Sequence, residues 1–245
     1  MHRFLKFIWD KFSDNFGNSI FHPQYLIKKN SFKAVIEAQK RAHGKLLDIG
    51  CGRMPYRSLI EPKVAKYIGL DHPKTSRFYV NSRIKPDIFA DARKIPVKNK
   101  SFDTILLLEV LEHIPYPINV LKEVGRIIKP NGVVIISTPF MYPLHDIEYD
   151  YLRYTKKMLK LMLKKSGFKI ISIKENGNFF EFMCISIIVY LLYRAKDIDN
   201  FFKYFLIVLV MPLSIFLNIV SLPFSSVNVR NNRFPLNYTV VARLE

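Results

Sequence analysis

Residues 46–56, LLDIGCGRMPY, limit what this chain can fold into more than any other stretch. Leu46 and Leu47 open an apolar run of strand length, Asp48 stands near its end, and Gly50 and Gly52 turn the chain directly afterwards. A strand that runs into a glycine turn lets backbone approach a nucleotide closely, because no Cβ intervenes. The dinucleotide pattern G-x-G-x-x-G asks for a third glycine, and in the register Gly50-Cys51-Gly52-Arg53-Met54-Pro55 that position is a proline. No Gly-Lys-Ser/Thr follows, which excludes a P-loop.

Strand and helix signals alternate around this turn. Strands are expected at 46–50, 67–71, 86–91, 101–110, 132–140, 168–173 and 237–244. The run 101–110 is apolar on both faces, as a central parallel strand should be. A helix over 31–43 is stopped by Gly44. A second starts at Pro117, carries Ile118, Leu121, Val124 and Ile128 at helical spacing, and ends at Lys129-Pro130-Asn131-Gly132. Thr155 caps a third, basic and amphipathic, which Gly167 closes. Such alternation gives an α/β fold, Rossmann-like and doubly wound around a mostly parallel sheet. With 245 residues there is room for one such domain and an appendage. The expected division is an amphipathic, basic segment over 1–30, a nucleotide-binding domain over 31–178 completed by 235–245, and a hydrophobic helical insertion over 179–234.

On these residues the chain resembles the class I S-adenosylmethionine-dependent methyltransferases of small-molecule and glycan–lipid type. LLDIGCG is similar to their first motif. Asp71 ends the second strand, Asp91-Ala92 follows the third, LLLEVLEHI spans the end of the fourth, and RIIKPNG precedes the fifth, so the likeness runs in order over roughly 45–175. One departure is Met54, which stands at the family's third glycine position. The resemblance implies a seven-stranded sheet with an antiparallel last strand, and S-adenosylmethionine as cofactor. It implies that backbone at Gly50 and Gly52 approaches the methionine portion and that Asp48 sits near its ammonium. Asp71, 21 residues after Gly50, would accept from both ribose hydroxyls. Asp91 would accept from the adenine amino group beside the backbone of Ala92, with Leu108 and Glu109 closing the pocket.

Methyl transfer from a sulfonium is an in-line displacement, to which a protein contributes alignment and, for a hydroxyl acceptor, a base. His113 lies in VLEH, and His145 lies in PFMYPLHDIEYDYLRYT, 139–155, beyond the fifth strand. Imidazole suits the base role near neutral pH, so both are catalytic candidates, the bland alternative being loop histidines bonded to backbone. Tyr149, Arg153 and Tyr154 are candidate substrate contacts. Arg153 could equally pair with Glu148 or Asp150. No Asn/Asp-Pro-Pro-Tyr/Phe follows the fourth strand and neither Cys51 nor Cys184 follows a proline, which argues against amino- and carbon-methylation of nucleic acid. No compact ligand cluster is legible, so no metal is expected. The function expected is O-methylation of a small, sugar-containing or lipid-linked acceptor. The alternative is a non-catalytic module of the same fold that binds RNA or anchors partners at a membrane.

The formal charge is +18, and it is uneven: residues 1–45 hold nine Lys/Arg against three acids, and 151–175 hold eight against one. These blocks lack the interleaved aromatics of RNA readout, so no nucleic-acid partner is expected. An anionic membrane surface fits them better. FMCISIIVYLLY, 182–193, is without charge, and YFLIVLVMPLSIFLNIVSL, 204–222, reaches the length of a spanning helix, interrupted by Pro212. Because the last strand must rejoin the sheet, the arm has to return to the side it left. A monotopic hairpin in the cytoplasmic leaflet is therefore expected, flanked by an N-terminal helix with Leu5, Ile8, Trp9 and Phe12 on one face. A dimer interface or a lid over a greasy substrate is the alternative. Lys6 and Asp10 break the N-terminal apolar run, unlike a secretory leader, and a cysteine inside the glycine turn suits a reducing compartment.

Overall fold

The computed structural model describes residues 19–79, 84–198, 202–225 and 232–245. The expected N-terminal amphipathic helix lies outside the described residues. Seven strands form one sheet: β1 (Lys45–Ile49), β2 (Lys66–Asp71), β3 (Ile88–Phe89), β4 (Phe102–Leu108), β5 (Ile128–Pro139), β6 (Phe168–Asn176) and β7 (Asn237–Leu244), in the order β3-β2-β1-β4-β5-β7-β6. β1 runs parallel to β2 and β4, β4 runs parallel to β5, and β7 lies antiparallel to β5, as the sequence led us to expect. The helices are α1 (Tyr25–Arg41), α2 (Arg57–Ile60), α3 (Pro117–Ile127), α4 (Lys156–Lys165), α5 (Phe179–Lys196) and α6 (Phe202–Ser225).

β4 shows why the fold is doubly wound. Ile105 and Leu107 point into one core with Val120, Leu121 and Val124 of α3 and Leu159, Met162 and Leu163 of α4. Leu106, between them, points into the other core with Ala34, Val35 and Ala38 of α1. Alternation along a strand buried on both faces needs apolar residues at every position, which is what the run supplies. Strand order reverses between β1 and β4, and ligands of open α/β sheets bind outside the carboxyl ends of the strands at that switch.

Boundaries differ from expectation where side chains intervene. β4 stops at Leu108 because Glu109 takes a left-handed φ of 54°. β3 is only two residues long, and just before it Asp87 is clipped to β2, its carboxylate accepting from the Gly69 amide at 2.7 Å and its own amide donating to the Gly69 carbonyl at 2.8 Å. β5 starts earlier than expected, at Ile128, its register shifting opposite Phe102 and Thr104, with Asn131 at φ 65°. α4 begins as expected, Thr155 Oγ1 accepting from Met158 N at 3.2 Å.

Gly44, between α1 and β1, has φ +59°, and a Cβ there would stand 2.4 Å from Asp103 Oδ2. That carboxylate is fixed, accepting from the Lys45 amide at 2.8 Å and from Lys129 Nζ at 2.9 Å. Gly44→Ala is expected to destabilise the fold by about 1–2 kcal/mol for the left-handed backbone alone. Urea unfolding should show a lower midpoint at unchanged slope.

The chain divides into two compact units. The sheet unit holds Ser31–Phe140, Leu144–Glu175 and Asn237–Glu245, and the other holds Met1–Asn30, Met141–Pro143 and Asn176–Leu236. In the second unit α5 and α6 are both apolar, and α6 continues through Pro212 and Pro223. Its stretch Leu206–Ser225 is long and apolar enough to cross a membrane, with mean hydropathy 2.3, yet only 22% of it is buried. The helix is turned against the usual rule. Ser214, Asn218 and Ser221 are buried, while Val208, Leu209, Phe216 and Ile219 are exposed. Asn218 Nδ2 donates to the carbonyl of Ile20 at 2.8 Å. Near the start of α5, buried Glu181 accepts from Lys29 Nζ at 2.6 Å, Asn30 Nδ2 at 2.9 Å and Ser225 Oγ, tying together segments far apart in sequence.

Candidate active site

β1 delivers the chain into the turn at Gly50 and Gly52, at φ +70° and +52°. The amides of Gly50 and Cys51 both donate to the Leu70 carbonyl, at 2.8 and 3.0 Å, which clips the turn to the end of β2. A Cβ on Gly50 would meet Val110 Cγ2 at 2.5 Å, whereas one on Gly52 would face open space. Gly50 is thus required by packing as well as by backbone conformation. Met54, at the third glycine position of the methyltransferase first motif, is buried, and β2 makes room for it: a Cβ on Gly69 would stand 2.7 Å from Met54 Sδ and 2.9 Å from Cys51 Sγ. Gly69 inside a strand was the signal, since such a glycine often marks a close approach.

Three acids stand at or just after the ends of β1, β2 and β3. Asp48 is buried and accepts from the Tyr67 hydroxyl. Burial pushes its carboxyl up to about 7, the Tyr67 hydrogen bond pulls against that, and Asp71 adds to it. Asp71 is buried, its Oδ2 accepting from the Tyr79 hydroxyl at 2.5 Å and its Oδ1 from the His72 amide at 2.7 Å. Asp91 is held in a fork by Arg93, Nη2 to Oδ2 at 2.6 Å and Nε to Oδ1 at 3.0 Å, which brings its carboxyl down to about 2. Ala92 beside it packs against the main core. Tyr67, Tyr79 and Arg93 escaped the sequence reading because nothing in their spacing marks them as partners of these acids.

Beyond β4, Leu108 packs partly buried against the core of α1, and Glu109 follows in its left-handed conformation. The Glu109 amide donates to the Ser137 carbonyl at 3.0 Å, and burial raises its carboxyl. Glu112 is fully buried, and neither carboxylate oxygen has a hydrogen-bond partner among the described residues. Burial, then Glu109, raises its carboxyl well above the usual range.

The two histidines meet here. The rings of His113 and His145 lie edge to face with centroids 5.0 Å apart. His113 Nδ1 is 3.1 Å from the Tyr149 carbonyl, and His145 Nδ1 is 3.3 Å from Asp150 Oδ2. One ligand-capable atom from each of Glu112, His113 and His145 lies within 4.8 Å of the other two. Tyr149 is exposed. Arg153 pairs with buried Asp150, Nη2 to Oδ2 at 2.7 Å, the alternative already open for it. Tyr154 departs from the substrate contact expected of it: it is 2% exposed, lies in the main core and donates to the Leu111 carbonyl at 2.7 Å. Its bulk and its hydroxyl hold the loop that carries Glu112 and His113.

An open α/β sheet with a glycine turn and strand-end acids at its switch point defines a nucleotide-cofactor fold, and the order with antiparallel β7 narrows the class. Residues 24–173 match the family model of a methyltransferase domain, and the chain belongs to that family, the class I S-adenosylmethionine-dependent methyltransferases. It is 32% identical over 137 residues to the tRNA U34 carboxymethyltransferase of Nautilia profundicola, covering 53% of this chain and 45% of that protein. To the ubiquinone biosynthesis O-methyltransferase of Pseudomonas aeruginosa it is 28% identical over 137 residues, 53% of this chain and 56% of that one. The chain spans about half the length of the curated relatives it matches. Among solved structures, an S-adenosylmethionine-dependent methyltransferase from Archaeoglobus fulgidus superposes with a TM-score of 0.56 at 17% identity, over 96% of this chain and 99% of that one. That likeness shows the fold alone.

Proposed function

We propose that this chain transfers the methyl group of S-adenosylmethionine to a hydroxyl of a small, sugar-containing or lipid-linked acceptor, at the cytoplasmic face of the cell membrane. The observation that carries the reading is the run of three acids, Asp48, Asp71 and Asp91, at the strand ends around a glycine turn, with two paired histidines past β4. Asp48 answers the cofactor's ammonium, Asp71 its ribose hydroxyls and Asp91, with the backbone of Ala92, its adenine edge, while Leu108 and Glu109 bound the pocket. The acceptor hydroxyl loses its proton at the His113–His145 pair, and Asp150 beside His145 Nδ1 orients that ring. Tyr149 is the exposed side chain suited to meet the acceptor. The relative named as an O-methyltransferase supports hydroxyl chemistry. The purified protein, tritiated cofactor and a membrane extract, separated into lipid, glycan, nucleic acid and protein, test it: label should enter lipid or glycan. Label confined to RNA would transfer the argument to the tRNA-directed relative.

Asp48 makes cofactor binding pH-dependent. With its carboxyl near 7, it is neutral below that pH and ionised above it, and only the ionised form attracts an ammonium. Affinity for S-adenosylmethionine should therefore rise as pH increases through about 7, by up to ~10-fold per pH unit on the acid side. Titrations at pH 6 and pH 8 check the sign, and Tyr67→Phe, which removes a hydrogen bond to the ionised form, should move the transition upward.

The membrane reading rests on α6. Burying Ser214, Asn218 and Ser221 while exposing Val208, Leu209, Phe216 and Ile219 suits a helix whose outer surroundings are lipid. The hydroxyls of Ser214 and Ser221 and the amide of Asn218 donate to backbone carbonyls, of Met211, Asn218 and Ile20 respectively, and the apolar side chains need a hydrocarbon phase. A hairpin of α5 and α6 lying in one leaflet, with the basic blocks toward anionic head groups, meets both needs. In flotation with phosphatidylglycerol vesicles the protein should rise with the lipid, and a Val208→Glu/Phe216→Glu double variant should stay behind. Wild-type protein that remains at the bottom would remove the membrane from the proposal.

A further inference from the structure

We propose that Glu112, His113 and His145 bind one divalent metal ion, and that the acceptor hydroxyl ligates this ion when it is methylated. The second clause rests on the function proposed above, and the first stands without it.

Glu112 is the leading observation. It is fully buried with no hydrogen-bond partner among the described residues, and its ionised form is strongly disfavoured there unless a cation compensates it. Among its charged neighbours Glu109 and Asp150 repel it, and Arg153, forked onto Asp150, offsets that only in part. Meanwhile the imidazoles of His113 and His145 converge on it, His113 Nε2 standing 3.9 Å from Glu112 Oε1. A metal ion between the three replaces missing hydrogen bonds with ligand bonds.

The surroundings of the two rings carry the same sense. A histidine that ligates through one nitrogen commonly gives its other N–H to a carboxylate or a backbone carbonyl, which sets tautomer and orientation. His113 has the Tyr149 carbonyl 3.1 Å from Nδ1, and Asp150, which accepts from the His145 backbone amide at 3.0 Å, lies 3.3 Å from His145 Nδ1. At His113 this leaves Nε2, the nitrogen that faces Glu112, with a lone pair to give. Two histidines and one glutamate form a donor set used for zinc and for neighbouring first-row ions, with positions left open for oxygen ligands. Such a site explains why a fold that needs no metal for its cofactor would assemble these three side chains.

The chemistry balances. The acceptor hydroxyl binds the cation, its O–H acidity rises, and the proton passes to solvent water. The alkoxide oxygen then attacks the methyl carbon in line. The O–C bond forms as the S–C bond breaks, and the sulfonium takes both electrons to become the neutral thioether of S-adenosylhomocysteine. With the ion in place, the proton that the His113–His145 pair would otherwise accept goes to water, and His145 acts through the ion.

The test uses the full chain, stripped with a chelator and titrated with Co(II) alone. Ligand-field absorption should grow to one equivalent, and Zn(II) should bleach it by competition. Glu112→Gln, nearly isosteric, should weaken Co(II) binding by at least ~100-fold, more than loss of an outer-shell partner costs. His113→Asn, at a partly exposed position, should do the same and guards against a Glu112 variant that misfolds. Absence of Co(II) absorption in the wild type, or equal affinity in both variants, overturns the proposal. A parallel titration of the stripped wild type with S-adenosylmethionine separates the two claims. Cofactor bound without Co(II) defeats the metal site alone, and Co(II) bound without cofactor defeats the methyltransferase reading alone.

Discussion

A His145→Ala variant is expected to lose methyl transfer by ~10²- to 10⁴-fold while binding S-adenosylmethionine within about twofold of the wild type. The separation follows from position. His145 stands in the segment beyond β5, paired with His113 at 5.0 Å and with Asp150 at 3.3 Å, while the acids assigned to the cofactor stand at or just past the ends of β1 to β3. Removing the imidazole deletes the group that governs the acceptor proton, whether directly or through a bound ion, and touches no group that answers the ribose, the ammonium or the adenine. Single-turnover rates with labelled cofactor, beside equilibrium titration of the same variant, give both numbers. Full activity on the true acceptor would reduce His145 to a structural residue.

Asp71→Ala should do the opposite and weaken the cofactor itself by about 1–3 kcal/mol, roughly 5- to 150-fold in Kd. Asp71 is buried at the end of β2, and two donors already organise its carboxylate, the Tyr79 hydroxyl at 2.5 Å and the His72 amide at 2.7 Å. A carboxylate held this way is pre-set to accept from two adjacent hydroxyls, so its loss falls on binding before any chemistry. Tyr79→Phe is the companion measurement. It leaves the carboxylate but frees its orientation, and should cost less than Asp71→Ala. Unchanged affinity in Asp71→Ala would take Asp71 out of the site.

The strand-end acids were legible because each closes a short apolar run, and a strand that stops at an acid announces both its direction and its functional end. The sheet was legible for the same reason, down to the antiparallel β7 that the family resemblance implied. What escaped was whatever depends on segments meeting in space. Glu112 looks, in VLEH, like one more turn acid, and His145 is 32 residues beyond His113, so no local spacing shows that the three converge. Tyr154 was misjudged through its neighbour: sequence adjacency to Arg153 suggested a shared surface, but successive residues there face opposite ways, and the tyrosine goes into the core. The apolar arm was visible as two long runs. Its inward polar stripe was not, because Ser214, Asn218 and Ser221 look unremarkable until the helix is seen to turn them from solvent.

Calorimetric titration of the purified chain with S-adenosylmethionine bears most directly on the central claim, that the turn at Gly50 and the acids around it form a working cofactor site. One-to-one binding with a Kd well below ~1 mM is expected, corresponding to more than about 4 kcal/mol. Gly50→Val should abolish it, since the site tolerates no side chain 2.5 Å from Val110. A wild-type protein that gives no heat up to the millimolar range would contradict the account.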